Sequence, residues 1–516
     1  MINRIRTLAT GLFLLIATMI ITVTIYLQAN FSNQSIDEII FTIFYGLKGA
    51  SPDIFMSAIV QIIFPFFIVF FILISPTIFA TKKQFIVELY FRNRKYRINA
   101  FPLKMLYKHK TSYAIVTLVL VIFFSYQIIG IADYMKRVSE YSSIYEDYYI
   151  DGRDVKITFP ENKRNLIVLY LESVENTMMD QKVGGGWEYD VMPELRALAE
   201  KHLNFSHSDK IGGALPASRT QWTVAALVSL TAGIPLSIPI DGNDYTNSEN
   251  FLAGAYTLGD ILKKEGYRLG LLVGSDAGYG GRDQYYTKHG NYEIFDVKRA
   301  IAEGRMTEDE RVGWGFDDSN LFKWAKEILT DYANSEQPFH LSLLTVNTHF
   351  PDGFLESEAD IIFPTQYENV HAHASKQVHD FVAWVQKQEF FKDTTLVIVG
   401  DHISMQPVDY YESKIPDDYV RTTYNVFISS VIEPIYPHNR QFTNFDLYPT
   451  ILASIGVNID GDRLGFGTNL FSDKPTLVEE LGYEYVNREL DKSSLYYNQY
   501  ILQDDFLKLM EQANVE

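Results

Sequence analysis

Three long apolar stretches near the N-terminus constrain the fold of this chain more than any other feature. Residues 8–28, 54–80 and 111–132 contain no Asp, Glu, Lys or Arg, and each is about as long as a helix that crosses a bilayer. A backbone segment in lipid must satisfy its own hydrogen bonds, so each stretch predicts a spanning helix. A cleaved signal peptide is the alternative for the first stretch, but the two that follow favour a membrane domain over residues 1–132.

The distribution of charge predicts how these helices are oriented. Residues 1–132 hold 12 Lys/Arg and 4 Asp/Glu, whereas the remaining residues hold 33 and 60. Arg4 and Arg6 precede the first stretch, and nine Lys/Arg with one acid, Glu88, lie between the second and the third. The positive-inside rule therefore predicts a multi-pass protein with a cytoplasmic N-terminus, whose residues after about 133 are extracytoplasmic.

Composition also excludes several classes of function. The acidic part of the chain repels nucleic-acid phosphates, so we expect no DNA or RNA as a partner. The three apolar stretches instead predict a lipid bilayer as a partner. The chain has no cysteine, which removes disulfides, thiolate metal sites and a cysteine nucleophile.

The part after the apolar stretches alternates between short apolar runs and helical patterns. Residues 133–160 are interpreted as a linker, 161–475 as one extracytoplasmic domain and 476–516 as a C-terminal tail. The alternation predicts an α/β fold in which helices cover both faces of a mostly parallel sheet. Strands are predicted at 166–171, 267–273, 340–346, 396–399 and 426–430, and helices at 191–203, 222–231, 256–265, 317–330, 374–388 and 444–454.

Acidic and imidazole side chains follow two of the predicted strands at the point where each strand ends. Asp401 and His402 come directly after the run that ends at Gly400, and Glu172 follows the first strand. The carboxyl ends of parallel strands meet at one edge of a sheet, where ligands bind. Oxygen and imidazole ligands there suit a divalent cation such as Mn²⁺ or Zn²⁺. An acid paired with a nearby Lys or Arg is the alternative for Glu172.

A hydroxyl residue begins the helix predicted at 222–231. Thr223 lies in its first turn, close to free backbone N–H groups that favour a phosphate or a developing alkoxide. No histidine is near in sequence, so a cation would have to activate the hydroxyl. An ordinary N-cap is the alternative, and Ser218 or Thr220 can serve as either cap or nucleophile.

Two further strand ends carry residues suited to a phosphate. The loop after residue 273 is rich in glycine and ends at Arg282, whose guanidinium can grip a phosphate. His349 follows the fourth strand and is a candidate substrate contact or general acid/base. His371, His373 and His379 have spacings that do not converge on one helix face, so they are interpreted as the exposed start of the 374–388 helix.

Together these motifs resemble the lipoteichoic acid synthases and related phosphoglycerol transferases of the alkaline phosphatase/sulfatase superfamily. The similar segments run in family order over about residues 160–470: Leu169-Tyr-Leu-Glu172-Ser, Trp222-Thr223 with Gly233-Ile-Pro-Leu, Gly280-Gly-Arg282-Asp, Thr345-Val-Asn-Thr-His349-Phe-Pro-Asp-Gly and Gly400-Asp401-His402. The resemblance implies one divalent metal, Mn²⁺ or Mg²⁺ (Zn²⁺ as an alternative), on Glu172, Thr223, Asp401 and His402. It implies Thr223 as the nucleophile and Arg282 and His349 as substrate contacts.

This chain departs from the family pattern at two positions of the glycine-rich loop. A tryptophan of the synthases falls near Gly280, and a substrate-binding aspartate matches Asp276 only with a one-residue slip. These differences place the chain closer to transferases that decorate glycans than to the polymerising synthases. The resemblance thus implies transfer of glycerol phosphate from phosphatidylglycerol to a cell-envelope glycan or teichoic-type polymer, through a phospho-threonine intermediate.

Other activities fit the sequence less well. Phosphoethanolamine transferases of the same superfamily are usually rich in disulfides, whereas this chain has no cysteine. A sulfatase needs Cys/Ser-x-Pro-x-Arg, and with Pro216 in the proline place the chain has Ala214 and Ser218 at the outer positions. An alkaline phosphatase needs a second set of metal ligands, and the sequence offers no such set. A non-catalytic membrane sensor of glycans or lipids is the alternative outside the enzymes, but it would not need all four ligand residues.

Overall fold

A computed structural model describes residues 2–31, 36, 39, 52–79, 86–91, 94–99, 101–237 and 251–502. The chain forms two compact units, Met1–Ser32 with Pro52–Lys136 and Asn33–Ser51 with Arg137–Glu516.

The first unit contains three long apolar helices and a hairpin. The helices are α1 (Ile2–Phe31), α2 (Pro52–Ile78) and α3 (Phe101–Ile128), and β1 (Ile86–Phe91) pairs with β2 (Arg94–Asn99) in antiparallel fashion. Segments of the three helices, Arg4–Ala29, Ile59–Ile78 and Lys108–Ile128, are long and apolar enough to cross a membrane. Large apolar side chains such as Phe64 remain exposed on them, which a lipid environment would cover. The predicted apolar helices are confirmed, and they indicate a membrane protein.

A six-stranded sheet forms the centre of the second unit. Its strands are β4 (Asn165–Leu171), β5 (Arg268–Val273), β6 (Glu293–Phe295), β7 (Phe339–Leu344), β8 (Thr394–Gly400) and β9 (Asn425–Ile428), in the order β6-β5-β7-β4-β8-β9. All pairs are parallel except β8 with β9. Every residue of β8 is buried, as expected for a strand covered on both faces. The predicted α/β class with a mostly parallel sheet is confirmed.

Helices cover both faces of this sheet. Successive side chains of β4 alternate between two cores: Val168 and Tyr170 pack with the Thr223–Ala232 helix, whereas Ile167 and Leu169 pack on the opposite face. Helix α4 (Ile131–Ser139) follows α3 in the chain, and the helices after it are α5 (Ile144–Tyr148), α6 (Pro193–Lys201), α7 (Thr223–Ala232), α8 (Leu258–Lys264), α9 (Arg282–Lys288), α10 (Val297–Ala302), α11 (Asp318–Ala333), α12 (Gln366–Val385), α13 (Val408–Glu412), α14 (Asn444–Ser454), α15 (Leu477–Leu481) and α16 (Tyr483–Leu490).

The segments that flank the predicted domain are also structured. Residues 133–160, predicted as a linker, include α5 and the strand β3 (Ile157–Thr158), which pairs with β10 (Asn458–Ile459). Short strands β11 (Arg463–Leu464) and β12 (Gly467–Thr468) follow. The described part of the predicted tail, up to residue 502, contains α15 and α16, and residues 503–516 lie outside the described residues.

The interpretation of three histidines as exposed is wrong for His371 and His373, whereas His379 is exposed as predicted. Helix α12 begins at Gln366, because Thr365 and Glu368 form a capping box, so the helix starts earlier than the predicted residue 374. His371 consequently lies inside the helix and is 2% exposed. His373 lies 3.6 Å from a carboxylate oxygen of Glu356.

Candidate metal centre and active site

The register of the sheet brings three of the predicted ligands together. Leu171 of β4 lies opposite Gly400 of β8, so the residues that follow, Glu172 on one strand and Asp401 and His402 on the other, leave the sheet side by side. One potential ligand atom from each lies within 4.8 Å of the others. All three residues are at most 2% exposed.

The backbone next to these residues fixes the carboxylates. Ser173 has a left-handed conformation with a φ of 56°, which costs about 1–3 kcal/mol in a residue with a side chain. In this conformation the Ser173 N–H donates to Asp401 Oδ1 at 2.8 Å, and the Ser173 hydroxyl donates to Glu172 Oε1 at 2.8 Å. The strained turn therefore holds both acids.

Two atoms of the cluster lack a hydrogen-bond partner. The His402 ring nitrogen Nδ1 bonds the Ile403 carbonyl at 2.8 Å, which assigns a proton to Nδ1 and makes Nε2 the nitrogen that can bind a cation. His402 Nε2 and Asp401 Oδ2 are both buried without a hydrogen-bond partner. Nε2 lies 3.5 Å from Asp401 Oδ2 and from Glu172 Oε1. Buried polar atoms without partners are costly, so these atoms fit a bound cation.

The electrostatics of the cluster also favour positive charge. Burial alone would raise the pKa of Glu172, but the charges of His349 and His402 outweigh it and lower the pKa. Burial and the charge of Glu172 raise the pKa of Asp401. Burial opposes protonation of His402, yet Asp401 and Glu172 raise its pKa above the ordinary value. The two buried acids thus create a negative electrostatic potential, which would stabilise a bound divalent cation.

Thr223 is the hydroxyl residue that reaches this cluster. Its Oγ1 donates to Glu172 Oε2 at 3.1 Å. It is the first residue of α7, and the N-cap Trp222 makes no side-chain capping bond, so free N–H groups lie beside the hydroxyl. The other two candidates bond elsewhere: the Ser218 hydroxyl bonds Asp491, and the Thr220 hydroxyl donates to the Ala217 carbonyl at 2.9 Å.

Two of the predicted substrate contacts lie within electrostatic range of Glu172. The charge of Glu172 acts on both Arg282 and His349. Arg282 is buried, and its Nε and Nη2 donate to the Tyr279 carbonyl, the Ser275 hydroxyl and the Asp276 carbonyl at 2.8–3.1 Å. These bonds leave Nη1 as the end that can meet a ligand.

His349 and Asp276 each have a partner besides Glu172 or a ligand. His349 Nδ1 bonds the Phe350 carbonyl at 2.6 Å, so Nε2 is the nitrogen not engaged by the backbone. Burial lowers the pKa of His349, although the charge of Glu172 acts in the opposite direction. Asp276 is buried and forms an ion pair of 2.7 Å with Lys298 Nζ.

Two features beside the site were not anticipated. Trp314 lies between Tyr279 and His349, with ring centroids 5.0 and 4.5 Å away, so a half-buried indole forms a wall next to His349 although it comes from a different loop. The second feature is the ion pair between the buried Glu175 and the partly buried Arg421, with an N–O distance of 2.5 Å. Glu175 follows Glu172 by three residues, which is the one signal in the sequence that could have drawn attention to it.

Comparison with protein families and known proteins places the chain among enzymes with this architecture. The model of the family named Sulfatase matches residues 164–457. Phosphoglycerol transferase I from Escherichia coli O6:K15:H31 (strain 536 / UPEC) and from Escherichia coli (strain SMS-3-5 / SECEC) are each 32% identical to the chain over 257 residues. The aligned part covers 48% of this chain but only 32% of those proteins, so the match spans about a third of their length.

The solved structures that align with the chain are more distant in sequence. The lipoteichoic acid synthase LtaP from Listeria monocytogenes aligns with a TM-score of 0.48 and 19% identity, over 62% of this chain and 80% of its own. The lipooligosaccharide phosphoethanolamine transferase EptA from Neisseria meningitidis aligns with a TM-score of 0.45 and 15% identity, over 87% of this chain and 83% of its own.

Proposed function

The chain belongs to the sulfatase family, and we propose that this member transfers glycerol phosphate from phosphatidylglycerol to a hydroxyl of a cell-envelope glycan or teichoic-type polymer. The observation that carries the proposal is the contact of Thr223 Oγ1 with Glu172, next to Asp401 and His402. The 32% identity with phosphoglycerol transferase I supports glycerol phosphate as the transferred group. Three helices with the length of membrane spans support a lipid donor, because an anchored domain meets that donor at high effective concentration.

Glu172, Thr223, Asp401 and His402 are the residues that would hold one divalent cation, for which we propose Mn²⁺ or Mg²⁺. A cation held there would lower the pKa of the Thr223 hydroxyl and offset negative charge on the phosphoryl oxygens. The free N–H groups at the start of α7 and the guanidinium of Arg282 add to that stabilisation. We propose that Nη1 of Arg282 and Nε2 of His349 contact the glycerol phosphate. Asp276, from the glycine-rich loop that ends at Arg282, is the third proposed contact.

The reaction follows as a double displacement. Thr223 Oγ1 attacks the phosphorus, the bond from phosphorus to the diacylglycerol oxygen breaks, and the hydroxyl proton leaves in the direction of Glu172 Oε2. The diacylglycerol oxygen takes up one proton, and a glycerophospho-threonine remains. The acceptor hydroxyl then attacks the same phosphorus and loses its proton, the bond from phosphorus to Thr223 Oγ1 breaks, and Oγ1 takes up one proton.

This chemistry also assigns a place to each part of the chain. In the proposal, residues 161–475 form the catalytic domain on the extracytoplasmic side, where the acceptor polymer lies, and the N-terminus is cytoplasmic. The basic residues between the second and third apolar stretches support that orientation.

A donor assay with a matched pair of threonine variants tests the function. The full chain in detergent is incubated with mixed micelles of labelled phosphatidylglycerol and Mn²⁺, beside Thr223→Ala and Thr231→Ala. The hydroxyl of Thr231, near the other end of α7, donates to the Leu227 carbonyl at 2.6 Å, so its loss leaves the cluster intact. We expect diacylglycerol release from the wild type and from Thr231→Ala, and only background from Thr223→Ala or after chelation.

Two further measurements sharpen the result. Mass spectrometry of the wild type, quenched without acceptor, should find a glycerophosphoryl group on the peptide that contains Thr223. A parallel incubation with phosphatidylethanolamine separates the two kinds of donor. Equal diacylglycerol release from the wild type and Thr223→Ala, or consumption of phosphatidylethanolamine alone, would contradict the proposal.

A further inference from the structure

Helix α16 and the residue that follows it, Asp491, hold the loop that leads into the nucleophile helix. This loop, residues 216–219, precedes Thr223 by four residues and contacts residues far away in sequence. We infer that Asp491 is a positioning residue for Thr223, because its carboxylate and its carbonyl each bind one residue of that loop. The inference rests on the proposed function in one respect, namely that Thr223 is the nucleophile.

The contacts of the loop form a continuous set. The Ser218 hydroxyl bonds a carboxylate oxygen of Asp491, and the Ser218 N–H donates to Asn487 Oδ1 at 2.7 Å. Nη2 of Arg219 donates to the Asp491 carbonyl at 2.8 Å. The Tyr483 hydroxyl donates to the Pro216 carbonyl at 2.5 Å. Residues 483–491 therefore bind three of the four residues of the loop.

The backbone of the loop needs such support. Arg219 has a left-handed conformation with a φ of 58° although it carries a long side chain, and that conformation persists only where neighbouring contacts impose it. The side chain is 5% exposed, and its Nη1 donates to Ser237 Oγ at 2.6 Å. The Leu236 N–H donates to the Arg219 carbonyl at 3.1 Å. The guanidinium is thus fixed between the segment that follows α7 and Asp491.

The position of this loop determines where α7 begins. Thr220 folds back on Ala217 through its hydroxyl, so residues 217–220 form one turn that Asp491 holds from outside. Thr223 Oγ1 must lie within bonding distance of Glu172 for the proposed attack. A nucleophile displaced by about 1 Å can lose roughly 100-fold in rate. A contact that fixes the loop can therefore control kcat without touching the substrate.

Asp491 also contacts the residues with which the second unit begins. Arg137 Nε lies 3.6 Å from Asp491 Oδ2. Nearby, the Ser493 N–H donates to the Glu140 carbonyl at 2.9 Å, and the Ser493 hydroxyl donates to the Val138 carbonyl at 2.6 Å. The Asp491 segment thus joins the entry of the chain into this unit to the loop before Thr223.

The test compares variants on both sides of the contact between the Asp491 carboxylate and the Ser218 hydroxyl, in the full chain in detergent. Asp491→Ala and Ser218→Ala each remove this contact, whereas Asp491→Asn keeps an acceptor oxygen. The double variant Asp491→Ala/Ser218→Ala completes a double-mutant cycle. Glu484→Gln is the matched control, because it removes an exposed acid from the same helix. Release of diacylglycerol from phosphatidylglycerol with Mn²⁺ gives kcat and KM. Hydrogen–deuterium exchange of the peptide spanning 216–223 reports the loop without any substrate.

A positioning role predicts a specific pattern. Asp491→Ala should lower kcat about 10–100-fold with KM within about twofold, and should raise exchange in 216–223 but not in the peptides of β4 and β8. Ser218→Ala should behave alike, the double variant should lose no more than about twofold further, and Asp491→Asn should keep at least about half of kcat. Ser218→Ala and Asp491→Asn decide the matter if Asp491→Ala does not fold.

The inference is overturned if exchange in 216–223 stays at the wild-type level, or if kcat falls no further than in Glu484→Gln. Fully additive losses in the double variant would likewise contradict it, because the two residues would then act separately. Activity that persists in Thr223→Ala is a different failure, which overturns the proposed function. The exchange measurement would still show in that case whether Asp491 holds the loop.

Discussion

Replacing Arg421 by methionine should both destabilise the domain and weaken its metal centre. Arg421 Nε and Nη2 donate to the two carboxylate oxygens of Glu175 at 2.8 and 2.5 Å. Glu175 is 1% exposed and also accepts the Ser404 N–H, while Arg421 Nη2 donates to the Ser404 carbonyl at 2.9 Å. The pair therefore fixes both backbone groups of a residue that lies two positions after His402.

The magnitude follows from the burial of the Glu175 carboxylate. Burial alone would raise the pKa of Glu175, but Arg421 outweighs it and lowers the pKa. Methionine keeps most of the volume but leaves an unpaired buried carboxylate, which costs about 3–5 kcal/mol. At about 2 °C per kcal/mol for a large domain, the melting temperature should fall by roughly 6–10 °C. Loss of the support behind His402 should also weaken cation binding about 10–100-fold.

Thermal unfolding in detergent and titration with Mn²⁺ measure the two effects. Arg463→Met is the matched control, because Arg463 and Glu480 form a pair of 2.6 Å whose side chains are 25% and 33% exposed, so its loss should cost only about 0–1 kcal/mol. Arg421→Met combined with Glu175→Gln should regain part of the stability, since no unpaired charge remains. The reasoning is refuted if Arg421→Met melts like the control, or if the double variant is less stable than the single one.

Two further predictions concern other buried positions. Burial alone would raise the pKa of Glu368, but hydrogen bonds from groups such as Trp187 and Lys414 lower it to about 2. The pKa of Glu in the unfolded chain is near 4.3. The ionised Glu368 therefore contributes fully to stability above about pH 4.3, and the contribution is lost as the pH falls toward 2. Glu368→Gln should therefore show a smaller drop in melting temperature between pH 5 and pH 3 than the wild type, and an equal drop would contradict this. A Cβ on Gly400 would lie 1.8 Å from the Val174 carbonyl oxygen. Gly400→Ala should therefore lower the free energy of unfolding by at least about 1–3 kcal/mol and lower the affinity for Mn²⁺. A Cβ on Gly11 would have no atom within 4 Å, so Gly11→Ala should lower neither quantity.

The sheet was predictable because its strands are apolar runs that end in recognisable residues. The five predicted strands agree with β4, β5, β7, β8 and β9 to within two residues at each end. The short edge strand β6 was not predicted, because three residues carry too little pattern. The early start of α12 was missed because its capping box precedes the apolar part of the helix.

The centre of the site was also predictable, whereas its supports were not. Parallel strands that end together bring Glu172 beside Asp401 and His402, so a rule about strand ends sufficed for these three residues. Arg421 and Glu175 are 246 residues apart, and no periodic pattern connects residues at such a distance. The buried His371 was misread for a related reason, because its burial depends on how α12 packs and not on local spacing.

The content of divalent metal in the purified full chain tests the central claim most directly. After incubation with Mn²⁺ and removal of free ion, elemental analysis should find about one ion per chain in the wild type and a loss of nearly all of it in Asp401→Asn. Asp446→Asn is the matched control, because Asp446 is equally buried but accepts bonds from the backbone of Thr443 and Thr468 outside the cluster. Full metal content in Asp401→Asn, or none in the wild type, would contradict the shared cation on which the proposed chemistry depends.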